Sequence, residues 1–133
     1  MFSATRNFYY DDSFEVSNGT IKFNSMVMNI GDTFDPQSGV FRAPKMGAYS
    51  FSFSGTTRYL NSSFSVEVMV NDDIALTIQD DANHQGVHHN NVSFNWHLAL
   101  KANDKVKLII TDGSMDVNSI LKIVFSGSLV YAP

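Results

Sequence analysis

Large apolar residues recur at every second position in several stretches of the chain. In segment 47–54, Tyr49, Phe51 and Phe53 alternate with serine or other small residues. A period of two is typical of a half-buried strand, because successive strand side chains point to opposite faces. The same alternation recurs at 64–70, 74–78, 92–100, 106–110 and 121–131. No window of eleven or more residues combines a helical period of apolar residues with helix caps. The sequence therefore predicts strands and almost no helix.

Turn residues separate two apolar segments between positions 23 and 53. Pro36 presets φ, the Asp35 side chain can close the turn, and Gly39 can adopt a positive φ. Polar residues at 71–73 and 101–104 predict two further tight turns. Short turns favour antiparallel pairing, and many short strands indicate a sandwich or barrel. Periodicity does not distinguish an immunoglobulin-like sandwich from a jelly roll.

A set of bulky and turn residues sits at fixed spacing in the same region: Phe23, Asn29, Phe34, Phe41, Gly47, Tyr49, Phe51 and Phe53. This spacing resembles the signature of the globular-head domain of complement component 1, subcomponent q, the C1q domain. The resemblance extends over essentially the whole chain, through a first strand at 2–4, a late turn at 100–108 and a closing strand at 125–131. It departs at Asn103, where the family usually has Gly. Because Asn tolerates the left-handed region, we expect the turn to survive.

The resemblance implies a fold and an assembly. The implied fold is an all-β, ten-stranded antiparallel jelly-roll sandwich of the tumour necrosis factor type, assembled as a compact homotrimer. The length of 133 residues predicts a single domain over residues 1–133. The 13% aromatic content exceeds what a small domain needs for its own core, which favours a buried subunit interface. Gly127, inside the closing strand, predicts a bulge or the close approach of another backbone or ring.

Charge and composition exclude several partners. The net charge is −4 and the nine Lys and Arg residues are scattered singly, so we expect neither nucleic acid nor anionic membranes as partners. No apolar run approaches the roughly 18 residues of a membrane helix, so membrane insertion is not expected. The chain has no Cys, which excludes disulfides, thiolate zinc sites and a Cys nucleophile. Asn18, Asn61 and Asn91 begin glycosylation acceptor sequences, which are either used or a chance product of an Asn- and Ser-rich chain.

The sequence carries no recognisable catalytic motif. It has no Gly-x-Ser-x-Gly elbow, no phosphate-binding glycine loop and no dinucleotide fingerprint. The hydroxyl-bearing residues are expected on the solvated faces of half-buried strands. The sequence therefore predicts a protein that is not an enzyme, with a metal-dependent enzyme as a distant alternative.

Metal ligands are concentrated in one predicted loop. His84, His88 and His89 fall in a segment that Gly86 makes a loop, so we expect an exposed, titrating cluster and not a helical zinc pair. Carboxylate oxygens suit calcium, and Asp80 and Asp81 supply two in the same loop. The resemblance implies an apical calcium site in some family members.

The position of the second acid in that calcium site falls on His88, and imidazole is a poor calcium ligand. Calcium at Asp80 and Asp81 is therefore a candidate cofactor in a site that lacks its usual second carboxylate.

The resemblance also implies a function. It is that of a non-catalytic, secreted, lectin-like recognition module of innate immunity, whose partners are glycans, microbial surface polymers or extracellular proteins. Polar loops on a rigid scaffold commonly carry binding residues. The candidate ligand-binding residues are Arg58, Tyr59, His84, His88, His89, Asp112 and Asp116. A secreted signalling ligand for a cell-surface receptor and a structural extracellular assembly protein remain the alternatives.

Overall fold

The chain folds into β-strands joined by turns. The computed structural model describes residues 1–7, 20–23, 25–57, 64–80, 90–110 and 120–133. Within these ranges it contains ten strands and no helix. The strands are β1 (Phe2–Asn7), β2 (Ser25–Asn29), β3 (Phe34–Asp35), β4 (Val40–Arg42), β5 (Gly47–Thr57), β6 (Phe64–Val70), β7 (Asp73–Asp80), β8 (Asn90–Leu100), β9 (Lys105–Ile110) and β10 (Ile120–Tyr131).

The strands form two five-stranded antiparallel sheets. Sheet A has the order β2-β1-β10-β5-β8, and sheet B has the order β3-β4-β9-β6-β7. The first and last strands are neighbours in sheet A, with Phe2 opposite Gly127. This order is that of a jelly roll, which confirms the predicted ten-stranded, all-β sandwich and resolves the choice that periodicity left open.

The core lies between the sheets and is built largely from aromatic rings. Phe125 is fully buried at its centre. Its ring lies 5.1–6.2 Å, between centroids, from the rings of Phe2, Phe23, Phe34, Phe51 and Trp96. The serines that alternate with these rings face outward on sheet A. The two-residue period of the sequence therefore separates the side chains that face the core from those that face the surface.

The residues that carry the family resemblance are structural. All six of their rings are buried. The Asn29 side chain binds the backbone of Phe34, with Nδ2 donating to the Phe34 carbonyl (2.8 Å) and Oδ1 accepting from the Phe34 N–H (3.4 Å). The Tyr49 hydroxyl donates to the Lys45 carbonyl (2.6 Å). This pattern specifies the scaffold and carries no information about a ligand.

The turn between β3 and β4 has the predicted chemistry. The Gln37 N–H donates to Asp35 Oδ1 (3.1 Å), and the Gly39 N–H donates to the Asp35 carbonyl (2.8 Å). Gly39 has a φ of +73°, as predicted.

The turn at 101–104 also forms, although Asn103 stands where the family usually has Gly. Asn103 adopts a φ of 73°. The Asp104 carboxylate accepts from the Lys101 N–H (2.8 Å) and from Asn71 Nδ2 (3.2 Å). These two hydrogen bonds hold the pKa of Asp104 below its ordinary value, because they favour the ionised carboxylate.

Gly127 lies at a close approach and not at a bulge. It pairs with Phe51 in regular register. A Cβ at this position would lie 2.7 Å from the Phe2 ring and 2.8 Å from the Phe51 ring. The predicted close approach of a ring is therefore confirmed. The rings of Phe2 and Phe51 occupy the space that a side chain at position 127 would need.

One apolar position departs from the simple alternation. Ile74 was expected to share a face with Leu76 and Ile78. The pairing of β6 with β7 shifts register, so that Val68 opposes Leu76 but Met69 opposes Ile74. The extra residue turns Ile74 outward, where it is 57% exposed.

Candidate recognition surface

Several strand ends meet at one end of the sandwich, which we call the loop end. In sheet A, Thr57 lies opposite both Ile120 and Asn90. In sheet B, Phe64 lies opposite Asp80, and Ile110 lies opposite Val66, near the same end of β6. Segments 58–63, 81–89 and 111–119 are each bounded on both sides by these strand ends. Chain connectivity therefore makes all three segments leave the scaffold from the same end.

The opposite end, the base end, is tied together by backbone hydrogen bonds. The Asn103 N–H donates to the Ala43 carbonyl and the Ala43 N–H to the Asp104 carbonyl, both at 2.8 Å. The Asn71 N–H donates to the Lys105 carbonyl at 2.7 Å. The first two bonds join the two connections between the sheets, 43–46 and 101–104, and the third ties the turn between β6 and β7 to the start of β9. Together they give the sandwich a well-fixed base.

Most of the residues predicted to bind ligand lie outside the described ranges. Asp80 is the last residue of β7, opposite Phe64. The others are Arg58, Tyr59, Asp81, His84, His88, His89, Asp112 and Asp116, which fall in the three segments that leave the loop end. Their role in ligand binding stays a prediction.

The metal predictions concern the same region. Within the part of the chain that the structure describes, no group of three or more His, Asp or Glu side chains could hold a metal ion. The calcium prediction at Asp80 and Asp81 and the histidine cluster both fall at or beyond the end of β7. The fourth histidine, His97, is exposed on the outer face of β8 opposite Ser50.

One glycosylation acceptor is placed by the fold. Asn91 lies in β8 opposite Thr56, while Asn18 and Asn61 fall outside the described ranges.

The centre of the outer face of sheet A carries small hydroxyl groups and no charged side chain. One row across four strands consists of Ser3, Ser126, Ser52 and Asn95. Ser52 Oγ donates to Ser126 Oγ (3.2 Å). A shallow hollow of about 270 Å³ follows these serines and is flanked by Met28. The row of Ser3, Ser126, Ser52 and Asn95 and its outward neighbours from position 124 to position 130 of β10 include no Asp, Glu, Lys or Arg, while Lys122 holds an outward position of β10 opposite Thr56, at the loop end.

The strand β8 forms the edge of sheet A and has an aromatic inner face. In the described residues it pairs with β5 alone. Trp96 is buried against Phe51, and its Nε1 has no hydrogen-bond partner in this part of the chain. Phe94, next along the same face, is 42% exposed although its alternation predicts a core position. An edge strand leaves such a ring with neighbours on one side only.

The outer face of sheet B differs, because it is charged. Arg42 lies directly opposite Lys105, and Lys107 follows two residues later on the same face of β9. Glu67 lies on the neighbouring strand β6, opposite Ile109. The two outer faces of the sandwich are therefore chemically distinct.

These features define a class of protein: a two-sheet jelly roll with a fixed base and its long connections at one end. The chain belongs to the C1q domain family, which it matches over residues 1–130.

Solved structures share this fold. The globular domain of zebrafish complement 1qA protein is 25% identical, with 99% of this chain and 98% of that chain covered and a TM-score of 0.74. GITRL of the pika has the same fold at 13% identity, with 100% of both chains covered and a TM-score of 0.56. GITRL of the bushbaby has it at 14% identity, with 97% of this chain and 93% of that chain covered and a TM-score of 0.52.

Family membership gives a coarse functional class. C1q domains are generally non-catalytic and typically extracellular, and they act in recognition or as ligands. Among the residues that the structure describes, no helix is long and apolar enough to cross a membrane.

Proposed function

We propose that the chain is a secreted, non-catalytic recognition module. It assembles as a homotrimer and binds glycans, microbial surface polymers or extracellular proteins in innate immunity. Its likeness to a complement protein supports the immune role. The binding residues are those of the three segments that leave the loop end, with calcium at Asp80 and Asp81 as a candidate cofactor.

The observation that carries this proposal is the convergence of strand ends at the loop end. Thr57, Asn90 and Ile120 are neighbours across three strands of sheet A. The segments between them contain most of the polar candidates, and segments supported by a rigid sandwich are where binding residues concentrate. A homotrimer would present three copies and raise avidity by roughly 10² to 10⁴ on a repeating target.

A binding screen tests recognition. The protein, whose mass in solution has been measured, is applied to immobilised glycans and microbial surface polymers, with and without a chelator. We expect binding that Arg58→Ala weakens by about tenfold or more, because Arg is a frequent anchor of binding surfaces. The control Lys45→Ala removes an exposed cation at the base end and should leave binding unchanged.

The outcomes of the screen separate the alternatives. Equal effects of the two substitutions would contradict recognition by the loop end. Loss of binding in chelator would support calcium, and unchanged binding would reject it. Binding to one receptor protein without any polymer would favour a signalling ligand, and no saturable ligand would favour a structural assembly protein.

The homotrimer is supported by the surface of sheet A. The centre of a stable interface is depleted of charge, and the central row of this face, Ser3, Ser126, Ser52 and Asn95, carries none. The adjoining edge strand β8 has no charged residue, Gly or Pro in its eleven residues. The unpaired backbone groups of such an edge can pair with a strand of another chain unless another surface covers them. We therefore assign the contact between protomers to sheet A and β8, with sheet B facing solvent.

Solution mass tests this assembly. We expect sedimentation equilibrium to give three times the 14.8 kDa chain mass. Asn95→Lys should reduce the assembled fraction by about tenfold or more, because it buries an unpaired charge. Thr77→Lys is the matched control, since Thr77 is also exposed on an edge strand but belongs to sheet B. A monomeric wild type would contradict the trimer, and an Asn95→Lys trimer of unchanged stability would contradict its location.

A further inference from the structure

A group of cations is brought together on the outer face of sheet B, although no two of its members are adjacent in the sequence. Arg42 on β4 lies directly opposite Lys105 on β9. Lys107 projects from the same face of β9, about 7 Å further along the strand. We call Arg42, Lys105 and Lys107 the cationic strip. Lys22 is exposed one residue after Ile21, whose N–H donates to the Leu108 carbonyl (2.8 Å), so a fourth cation lies next to the same strand.

The cationic strip is not neutralised by the described part of the protein. Arg42 donates from Nε (3.0 Å) and Nη2 (2.7 Å) to Asn103 Oδ1, which is a neutral acceptor. Lys105 and Lys107 form no side-chain ion pair or hydrogen bond with any described residue. Like charges directly opposite each other on paired strands are destabilising. The strip therefore keeps an electrostatic cost that a bound anion would relieve.

The nearby acids leave the strip available. The Asp104 carboxylate is occupied by the Lys101 N–H and by Asn71 Nδ2, and Asp35 Oδ1 is occupied by the Gln37 N–H. Glu67, diagonal to Lys107 across β6 and β9, and Asp73 form no ion pair with the strip, and neither does the remaining acid, Asp72. It lines the rim of a hollow of about 410 Å³ together with the two lysines, Asn71 and Val40. A hollow of this volume is in the range of sites that accept a small polar group such as one sugar ring.

The position and shape of the strip select the kind of anion. It runs along a sheet face, where a linear polymer can lie, and the contact with Asn103 holds the Arg42 guanidinium in place before any ligand arrives. Guanidinium and ammonium groups bind sulfate and carboxylate oxygens well. The outer face of sheet B presents no aromatic side chain among its described residues, so it offers no stacking platform for nucleic-acid bases.

We propose that the cationic strip and its hollow form a second binding site, for a linear sulfated polysaccharide, on the outer face of sheet B. This site is separate from the loop end and does not depend on the ligand bound there. If sheet A is covered in a trimer, the three strips face outward.

Heparin binding tests the proposal directly. Wild-type chain is titrated onto immobilised heparin at fixed ionic strength, with neutral dextran, double-stranded DNA and phosphatidylserine vesicles as parallel probes. The double substitution Lys105→Gln and Lys107→Gln should weaken heparin binding by about tenfold or more, because two charge-assisted contacts are lost. The double substitution Lys45→Gln and Lys101→Gln, which changes the net charge equally at exposed sites outside the strip, should have a much smaller effect.

A gain of affinity provides the complementary test. Asp72→Asn removes the acid at the rim of the hollow and should strengthen heparin binding several-fold. Asp32→Asn makes the same charge change in an exposed turn outside the hollow and should leave binding unchanged.

Each contrary outcome overturns a defined part of the proposal. Equal losses in the two lysine pairs would show that only net charge matters and would reject the site. Binding of DNA or vesicles as tight as that of heparin, with the same dependence on Lys105 and Lys107, would reject the polysaccharide. Neither result would affect the proposed recognition by the loop end, which is tested with Arg58→Ala.

Discussion

Phe125→Ala is expected to lower the free energy of unfolding by about 3–5 kcal/mol. Phe125 is fully buried, and rings from both sheets surround it, so its removal leaves a cavity that the neighbouring rings cannot all fill. Because a domain of this size has a total stability of about 5–15 kcal/mol, the loss is a large fraction of it. Denaturant unfolding at one fixed protein concentration measures the effect, since any assembly makes stability depend on concentration.

Ile74→Ala is the control for this substitution. Ile74 is large and apolar but 57% exposed after the register shift in β7, so its truncation should change stability by no more than about 0.5 kcal/mol. Equal losses for Phe125→Ala and Ile74→Ala would contradict the placement of the core between the two sheets.

Gly39→Ala is expected to destabilise the protein through two separate effects. Gly39 has a φ of +73°, and an L residue in the left-handed region costs about 1–2 kcal/mol. In addition, the new Cβ would lie 1.9 Å from the Ile21 carbonyl oxygen. That oxygen cannot move freely, because the Ile21 N–H is bonded to Leu108 and Thr20 is paired with Ile109. Overpacking of this kind adds about 1–3 kcal/mol or more.

Gly31→Ala separates these two effects. Gly31 also has a positive φ, of +87°, but a Cβ there would meet only the Thr33 methyl group at 3.8 Å. Gly31→Ala should therefore show the conformational cost alone, and the difference between the two variants in denaturant unfolding measures the clash with Ile21. Identical losses would disprove the close contact between Gly39 and the segment that begins at Thr20.

The strands and turns were predictable because their determinants are local. The alternation of Tyr49, Phe51 and Phe53 with small residues predicts β5, and the structure buries all three rings. The turn at 35–39 was predictable for the same reason, since Pro36 and Gly39 act on their own backbone angles. Family membership followed from the spacing of residues that build the core and of those, such as Asn29, whose side chains bind the backbone beside it.

The candidate sites were predictable only in part. The sequence indicated polar segments, but the register of Thr57 with Asn90 and Ile120 was needed to bring them to one end of the scaffold. The exposure of Phe94 could not be foreseen, because alternation does not tell an edge strand from a central one. The outward turn of Ile74 depends on one extra residue in a cross-strand pairing, which has no local signal.

By itself, the sequence determined the strands, the turns and most of the core, since these depend on residue periodicity and on φ preferences within a few positions. The choice of a jelly roll came from the resemblance to the C1q domain and not from periodicity. Only the tertiary structure decided which surfaces exist. Arg42 and Lys105 are 63 positions apart in the sequence and directly opposite in sheet B, and Ser3, Ser126 and Ser52 form one row in sheet A. Pairing between strands distant in sequence sets these neighbours, and for that reason a chain whose cations are scattered singly carries a cationic strip when folded.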